Sequence, residues 1–336
     1  MPRWVYIAGR GHSGSTMLDA MLGNAEEIES VGELVSGMGR YDELCSCGER
    51  FADCPYWKTV RSTFEERAGV TWDDVVAQSK GQAHIKSLFR TLRGNPADSW
   101  VRNLANYTDH IGRAIVETAA KPDLPPNQPP DQDQQSRPAP GVVVDSSKEI
   151  TRALFIIRFL PDSQVIHLMR HPVSILQSDY YRLKGGTGFK FLRRRFKPKR
   201  FFGPFLFVSV LTWVLGNLLA DLTRTKGKDR FLRVRYEDII AQPVAQMERI
   251  EKFIGVSLSA VITRLKEGES FAVGHNIGGN HMRLAGQFVF DPRKSGRSGL
   301  PKRYAVMAWL LTWPLLLAYG YRGHMMPPTL ERQKNG

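Results

Sequence analysis

Gly9-Arg10-Gly11-His12-Ser13-Gly14-Ser15-Thr16 follows a short apolar run, Trp4 to Ala8, and leads into Met17-Leu18-Asp19-Ala20-Met21-Leu22, which has helical periodicity. A strand, a glycine loop and a helix in that order make a phosphate cradle, because loop amides and the helix N-terminus both face the anion. The spacing matches the nucleoside-triphosphate loop at Gly9, Gly14 and Thr16, but Ser15 stands where that loop carries its lysine. Without the lysine, γ-phosphate transfer loses its main clamp. These residues predict a phosphate-binding loop and argue against a nucleoside triphosphate as substrate.

A second anion-binding pair lies further along. The run 163 to 169 ends at Arg170, followed by His171-Pro172 and a helical pattern through Ser174, Ile175, Leu176 and Ser178. Proline suits the first helical turn. An Arg at a strand's carboxyl end and a Ser on the adjoining helix lie on the edge where open α/β sheets bind ligands, and Arg binds phosphate in bidentate fashion. Taken alone, the pair also reads as a surface salt bridge and a helix-face serine.

Together, a GRGHSGST loop with serine at the lysine position and the Arg170 to Ser178 pair in LMRHPVSILQS resemble the two signatures of sulfotransferases that use 3′-phosphoadenosine 5′-phosphosulfate. Val31-Gly32-Glu33-Leu34, Val144-Asp145-Ser146-Ser147-Lys148, Val234-Arg235-Tyr236-Glu237-Asp238 and Gly279-Asn280-His281-Met282-Arg283 resemble, in order, segments of bacterial sulfotransferases, and several resemble the tyrosylprotein and carbohydrate branches. The resemblance runs from about residue 4 to 321, leaving out 121 to 140. It implies a P-loop nucleotide-hydrolase-like α/β fold: a central parallel sheet flanked by helices, with a helical cap insertion. It further implies that Gly11, His12, Ser13, Gly14, Ser15 and Thr16 hold the 5′-phosphosulfate, and that Arg170 and Ser178 hold the 3′-phosphate with Tyr236 nearby. Arg293 and Arg297 fall in a 270 to 300 segment that resembles a loop closing over the adenine and 3′-phosphate.

For catalysis the resemblance implies Glu33, 21 residues after His12, as the base that takes the acceptor's hydroxyl proton. Lys148 sits where the family places a cation against the sulfuryl and leaving-group oxygens. His12 stands where many relatives carry Arg or Lys; an imidazolium would bind the bridging oxygen, whereas a neutral ring would donate one hydrogen bond. The donor brings its own leaving group, so the chemistry needs no metal. The product would be 3′,5′-adenosine bisphosphate, and the partner a hydroxyl-bearing acceptor. A glycolipid or long-chain metabolite gains weight from the apolar stretches below; carbohydrates, peptide tyrosines and small alcohols remain open. Two rivals stand beside this reading. One is a P-loop kinase with Val142-Val143-Val144-Asp145 as a magnesium-binding strand end; the other is a non-catalytic membrane-surface protein that binds the nucleotide without turnover.

Cys45-Ser46-Cys47-Gly48 and Cys54-Pro55 leave three readings open: zinc with His84 or a water as fourth ligand, a Cys47 to Cys54 disulfide or redox pair, and reduced packing thiols. Arg182, Lys184, Lys190, Arg193, Arg194 and Arg195 interleave with Phe189, Phe191 and Phe196. That pattern suits an acidic lipid surface or a polyanionic acceptor as well as a solvated loop. Nothing resembles a helix-turn-helix or an RNA-binding sheet, and nucleic acid is not expected as a partner.

The elements that must carry these residues are legible as alternation. Apolar, β-branched runs at 4 to 8, 141 to 145, 163 to 169 and 231 to 235 are each followed by a helical pattern, which argues for a parallel sheet between helices. Residues 45 to 120 form a Cys-containing insertion with helical patterns at 57 to 68, 71 to 93 and 97 to 120, read as a cap over the acceptor. Residues 121 to 140 are Pro- and Gln-rich without periodicity and are expected to be a disordered loop. Stretches 201 to 220 and 305 to 321 carry no charge. Three placements stand for them: buried core helices, helices lying on anionic lipid, and a true span.

Composition bounds the rest. At 336 residues, 42% hydrophobic and 24% charged, the chain is long enough for a sizeable core and fits one elaborated α/β domain, 1 to 336. A net charge of +14 points to an anionic partner. Three cysteines are too few for a secreted disulfide framework. Met1-Pro2-Arg3 leads into an apolar run too short for a signal peptide. The expected location is the cytoplasm, with peripheral contact to the inner face of the membrane left open.

Overall fold

The computed structural model describes residues 2–80, 85–121, 139–185, 202–294 and 299–321. In chain order, β1 (Arg3–Gly9) leads to α1 (Ser15–Leu22), a short β2 (Ile28–Ser30) and a single turn, α2 (Leu34–Gly37). The insertion supplies α3 (Pro55–Ala68), α4 (Trp72–Lys80), α5 (Ile85–Arg93) and α6 (Ser99–Ala119). Then come β3 (Val142–Lys148), α7 (Ile150–Phe159), β4 (Gln164–Met169), α8 (Pro172–Lys184) and α9 (Phe202–Lys226). After β5 (Phe231–Arg235) lie α10 (Tyr236–Ala241), α11 (Pro243–Ile254) and α12 (Ser259–Glu267). A small antiparallel pair, β6 (Ser270–Ala272) with β7 (Gln287–Val289), precedes α13 (Lys302–Ala318).

The five main strands pair in the order β2-β3-β1-β4-β5, every neighbour parallel. A parallel sheet covered by helices on both faces explains why its strands read as nearly unbroken apolar runs. Side chains alternate along β1. Val5 and Ile7 enter the core shared with α1, α11 and α12, whereas Tyr6 and Ala8 face α7 and Ala220 of α9. Trp4 joins the insertion: with Val31 and Val143 it packs against Trp57, Val60 and Phe64 of α3 and Ile111 and Ile115 of α6. The insertion thus shares the sheet's core rather than enclosing one of its own.

The strand order reverses about β1: β3 lies on one side of it and β4 on the other. Ligands bind at such a switch point, outside the carboxyl ends of the strands. The loop after β1, Lys148 at the end of β3, Arg170 after β4 and Tyr236 after β5 all sit on that edge. Lys148 ends β3, three residues beyond the 141 to 145 run expected for that strand. β3 continues through Asp145-Ser146-Ser147, because an irregularity between Tyr6 and Ala8 lets Ala8 pair with Lys148.

From residue 202 the 201 to 220 stretch is helical, and α9, Phe202–Lys226, is long and apolar enough to cross a membrane. One stripe of it is buried: Leu206, Ser209, Val210, Trp213, Asn217, Ala220 and Thr223. The opposite stripe, Phe207, Leu211, Leu215, Leu218 and Leu222, is exposed. On α13, which packs beside α9, Leu310, Leu311, Trp313 and Leu317 are also exposed. The Pro- and Gln-rich segment lies almost wholly outside the described residues, as do His84, Arg297 and Lys190 to Arg200.

Candidate active site

Gly14 takes a left-handed φ of 94° and precedes a helix whose first turn has neither an acidic residue nor a side-chain cap. Only glycine fits here, since a Cβ would lie 2.4 Å from Cδ2 of Tyr236. The Ser15 and Thr16 amides open α1 ahead of Met17 and Leu18, whose amides bond to the Gly14 carbonyl, and the helix end carries partial positive charge. The Ser13 and Ser15 hydroxyls are buried and have no hydrogen-bond partner among the described residues. Buried polar atoms without partners are costly; two of them at an uncapped helix N-terminus suit an anion with several acceptor oxygens. Thr16 Oγ1 accepts from the Asn280 amide at 3.2 Å.

Arg170 stacks on Tyr236, its Cζ 4.3 Å from the ring centroid, and donates to the His12 carbonyl at 2.8 Å. One guanidinium thus supports the loop and the ring that closes against Gly14. Ser178, on the same helix as Arg182, donates to the Ser174 carbonyl at 3.2 Å. Arg182 lies 3.2 Å from His12 Nε2, and since arginine has only donors, Nε2 accepts and the ring proton sits on Nδ1. Burial lowers the His12 pKa, against the pull of Asp179 at 3.6 Å. His12 is therefore neutral near pH 7. Arg10 ties the loop to α8 and α9, reaching Asp179 at 3.2 Å, Ser209 at 2.8 Å and Thr212. Beside it, a cavity of about 100 Å³ is lined by Arg10, Met169, Arg170, Thr212 and Trp213.

Across the loop, Glu33 and Lys148 form an ion pair, each side chain 16% exposed. Glu33 Oε2 also accepts from the Ser36 hydroxyl at 3.1 Å, and its backbone amide donates to the Ile277 carbonyl at 2.6 Å. Lys148 holds a left-handed φ of 73°, uncommon for a side-chain-bearing residue. Burial pushes its ammonium down to about 8. Gly278 and Gly279 pass close by: a Cβ on Gly279 would meet Thr16 Oγ1 at 2.9 Å and Glu33 Oε1 at 3.2 Å. Glu33, Thr16 and the 278–280 backbone therefore share one small space. Behind it the buried Asp19 accepts from Ser30 at 2.8 Å and Asn276 at 2.7 Å.

The loop residues Gly11 to Thr16, Arg170, Tyr236, Glu33 and Lys148 thus converge on one edge of the sheet. Arg293 is 90% exposed, with its guanidinium on Asp291. Sequence reading gave no site role to Arg182, Asp179 or Asn280 and no anchoring role to Arg10. Arg182 had a signal, since it lies four residues after Ser178 on one helix face. Asn280 had none beyond its motif, because its contact with Thr16 spans 264 residues.

The model of the sulfotransferase family matches residues 2–260 of the chain. Among solved structures, the sulfotransferase domain of the Synechococcus PCC 7002 olefin synthase is 18% identical, covers 94% of each chain and superposes with a TM-score of 0.47. The sulfotransferase domain of the curacin biosynthetic pathway is 18% identical over 94% of this chain and 98% of that one, TM-score 0.46. Sulfotransferase STF9 from Mycobacterium avium is 12% identical over 95% and 77%, TM-score 0.48. No curated protein sequence matches the chain.

Proposed function

The chain belongs to the sulfotransferase family, and from that premise we propose that it moves a sulfuryl group from 3′-phosphoadenosine 5′-phosphosulfate to the hydroxyl of an acceptor. The observation that carries this reading is the pair of buried, unpartnered hydroxyls, Ser13 and Ser15, at the uncapped start of α1. They suit the oxygens of a phosphosulfate, and no lysine occupies the position that would clamp a γ-phosphate. When bound, the donor supplies the sulfuryl group and its own leaving group. Amides of Gly11 to Thr16 hold the 5′ end; Arg170, with Ser178 and Tyr236, holds the 3′-phosphate. Arg293 and Arg297 are carried only by the family resemblance.

In-line displacement forms one sulfur–oxygen bond to the acceptor and breaks another to the leaving phosphate. Glu33, ion-paired with Lys148, accepts the hydroxyl proton. Lys148 turns to the leaving oxygens as their charge develops. His12, neutral, donates one hydrogen bond from Nδ1. A kinase reading loses support at Asp145, which is buried, accepts from Ser147 and lies 3.7 Å from Arg152 rather than facing a magnesium site.

The exposed leucines of α9 and the neighbouring face of α13 favour an acceptor with an apolar part, reached at an anionic membrane surface in the cytoplasm. α9 lies on the protein body, because Ser209 of its inner stripe and Thr212 beside that stripe are bonded to Arg10 of the phosphate loop. Such a helix rests in an interface rather than crossing it.

Calorimetric titration tests the donor. 3′,5′-Adenosine bisphosphate should bind in the micromolar range without magnesium, Arg170→Ala should abolish that binding, and ATP with magnesium should not compete. Preference for ATP with magnesium would overturn the reading and promote the kinase.

A further inference from the structure

Cys45, Cys47, Cys54 and His275 lie outside the transfer chemistry, yet they meet at one point: one donor atom from each lies within 4.8 Å of all the others. Cys54 Sγ is 3.4 Å from His275 Nδ1 and 3.6 Å from Cys47 Sγ, and Cys45 Sγ is 3.8 Å from the same nitrogen. A tetrahedral ion bound at ordinary zinc–sulfur and zinc–nitrogen lengths sets such edges at about 3.6 to 3.8 Å. We infer that these four side chains bind a structural zinc ion. Thiolate and imidazole donors suit zinc, and four protein ligands close its coordination shell against substrate. His275, brought from 230 residues away, takes the fourth position that local spacing would give to His84 or a water.

The backbone is arranged around the same point. Gly48, at φ 93°, reverses the chain directly after Cys47, and its amide returns to the Cys45 carbonyl at 3.0 Å. Cys54 donates its amide to the Arg50 carbonyl at 2.8 Å, immediately before Pro55 starts α3. The His275 ring stacks flat on Tyr56, centroids 4.6 Å apart, and its carbonyl accepts from Trp57 Nε1 at 2.7 Å. These contacts fix the ring and aim Nδ1 at the sulfurs, the role that outer-shell groups play around a metal ligand. A disulfide would use two of the sulfurs and leave the converging imidazole without a function.

The ion would staple the 45 to 54 turn to the segment whose next residues reach the active site. Asn276 accepts from the Ser46 amide at 3.0 Å, Ile277 accepts from Glu33, and Asn280 reaches Thr16. Zinc binding here is independent of the donor reading.

The test uses the full chain, purified under reducing conditions without a metal-affinity tag. Mass spectrometry of the metal should find one zinc per chain, and the three thiols should react with a thiol reagent only after chelation. Cobalt(II) added to the chelated chain should give the intense bands of a tetrahedral thiolate site. Those bands should be lost in His275→Ala and restored in His275→Cys. A zinc-free chain that takes up no cobalt and whose thiols titrate freely overturns the inference. So does a Cys47–Cys54 disulfide in the chain isolated without reductant. Because the readouts are metal content, thiol protection and cobalt absorption, they do not depend on a known acceptor.

Discussion

Glu33→Gln keeps a hydrogen-bonding side chain beside Ser36 and removes the group that takes the proton. Turnover should fall by about 10² to 10⁴, while calorimetric binding of the bisphosphate stays as it was. Unchanged turnover would assign the base elsewhere. Lys148 makes a pH prediction. Its ammonium titrates at about 8 in the free protein, charged below and neutral above. kcat/KM should therefore decline as pH rises through that value. Lys148→Arg, which stays charged throughout, should remove the alkaline decline, measured as the pH profile of the two proteins side by side. His12 contributes nothing to this alkaline decline, since burial lowers its pKa and leaves it neutral at and above pH 7.

At the scale of the element, the phosphate loop depends on one close approach. Gly14→Ala would place a methyl group 2.4 Å from the edge of the Tyr236 ring and force a left-handed conformation on alanine. Overpacking of this kind costs about 1 to 3 kcal/mol, and the loop must shift to relieve it. Bisphosphate binding should be lost, with a lowered melting temperature; intact binding would mean that Tyr236 does not close on the loop. The loop was legible in the sequence because strand, glycines and helix are contiguous, β1, β3 and β4 because both of their faces are buried, and the edge strand β5 from Phe231, Leu232 and Val234. β2, β6 and β7 were not, since three residues carry no readable period. β3 ran past its expected end at Asp145 because polar Ser146 and Ser147 are buried in it and broke the apolar run. Glu33 and Lys148 were read from family motifs, but their pairing is a tertiary fact. His275 was not identified because nothing local marks a histidine that meets cysteines 221 and 230 residues earlier.

For the molecule as a whole, the net charge of +14 and the apolar faces of α9 and α13 act together. Binding to anionic phospholipid vesicles, followed by co-sedimentation, should be strong at low salt and weakened by high salt. A Leu215→Glu, Leu218→Glu double variant should lose the vesicles and keep the bisphosphate. Equal binding to uncharged vesicles, or none to anionic ones, would remove the lipid surface from the account. The site also has a history in time. Ser30 bonds to Asn276, 246 residues later, and the neighbouring amide of Glu33 is held by Ile277. A ribosome thus releases the phosphate loop and the base first, but their partner segment emerges only 246 residues after Ser30. A nascent chain stopped before that point would carry an anion cradle with an unanchored base, so catalytic competence waits for Asn276 and Ile277.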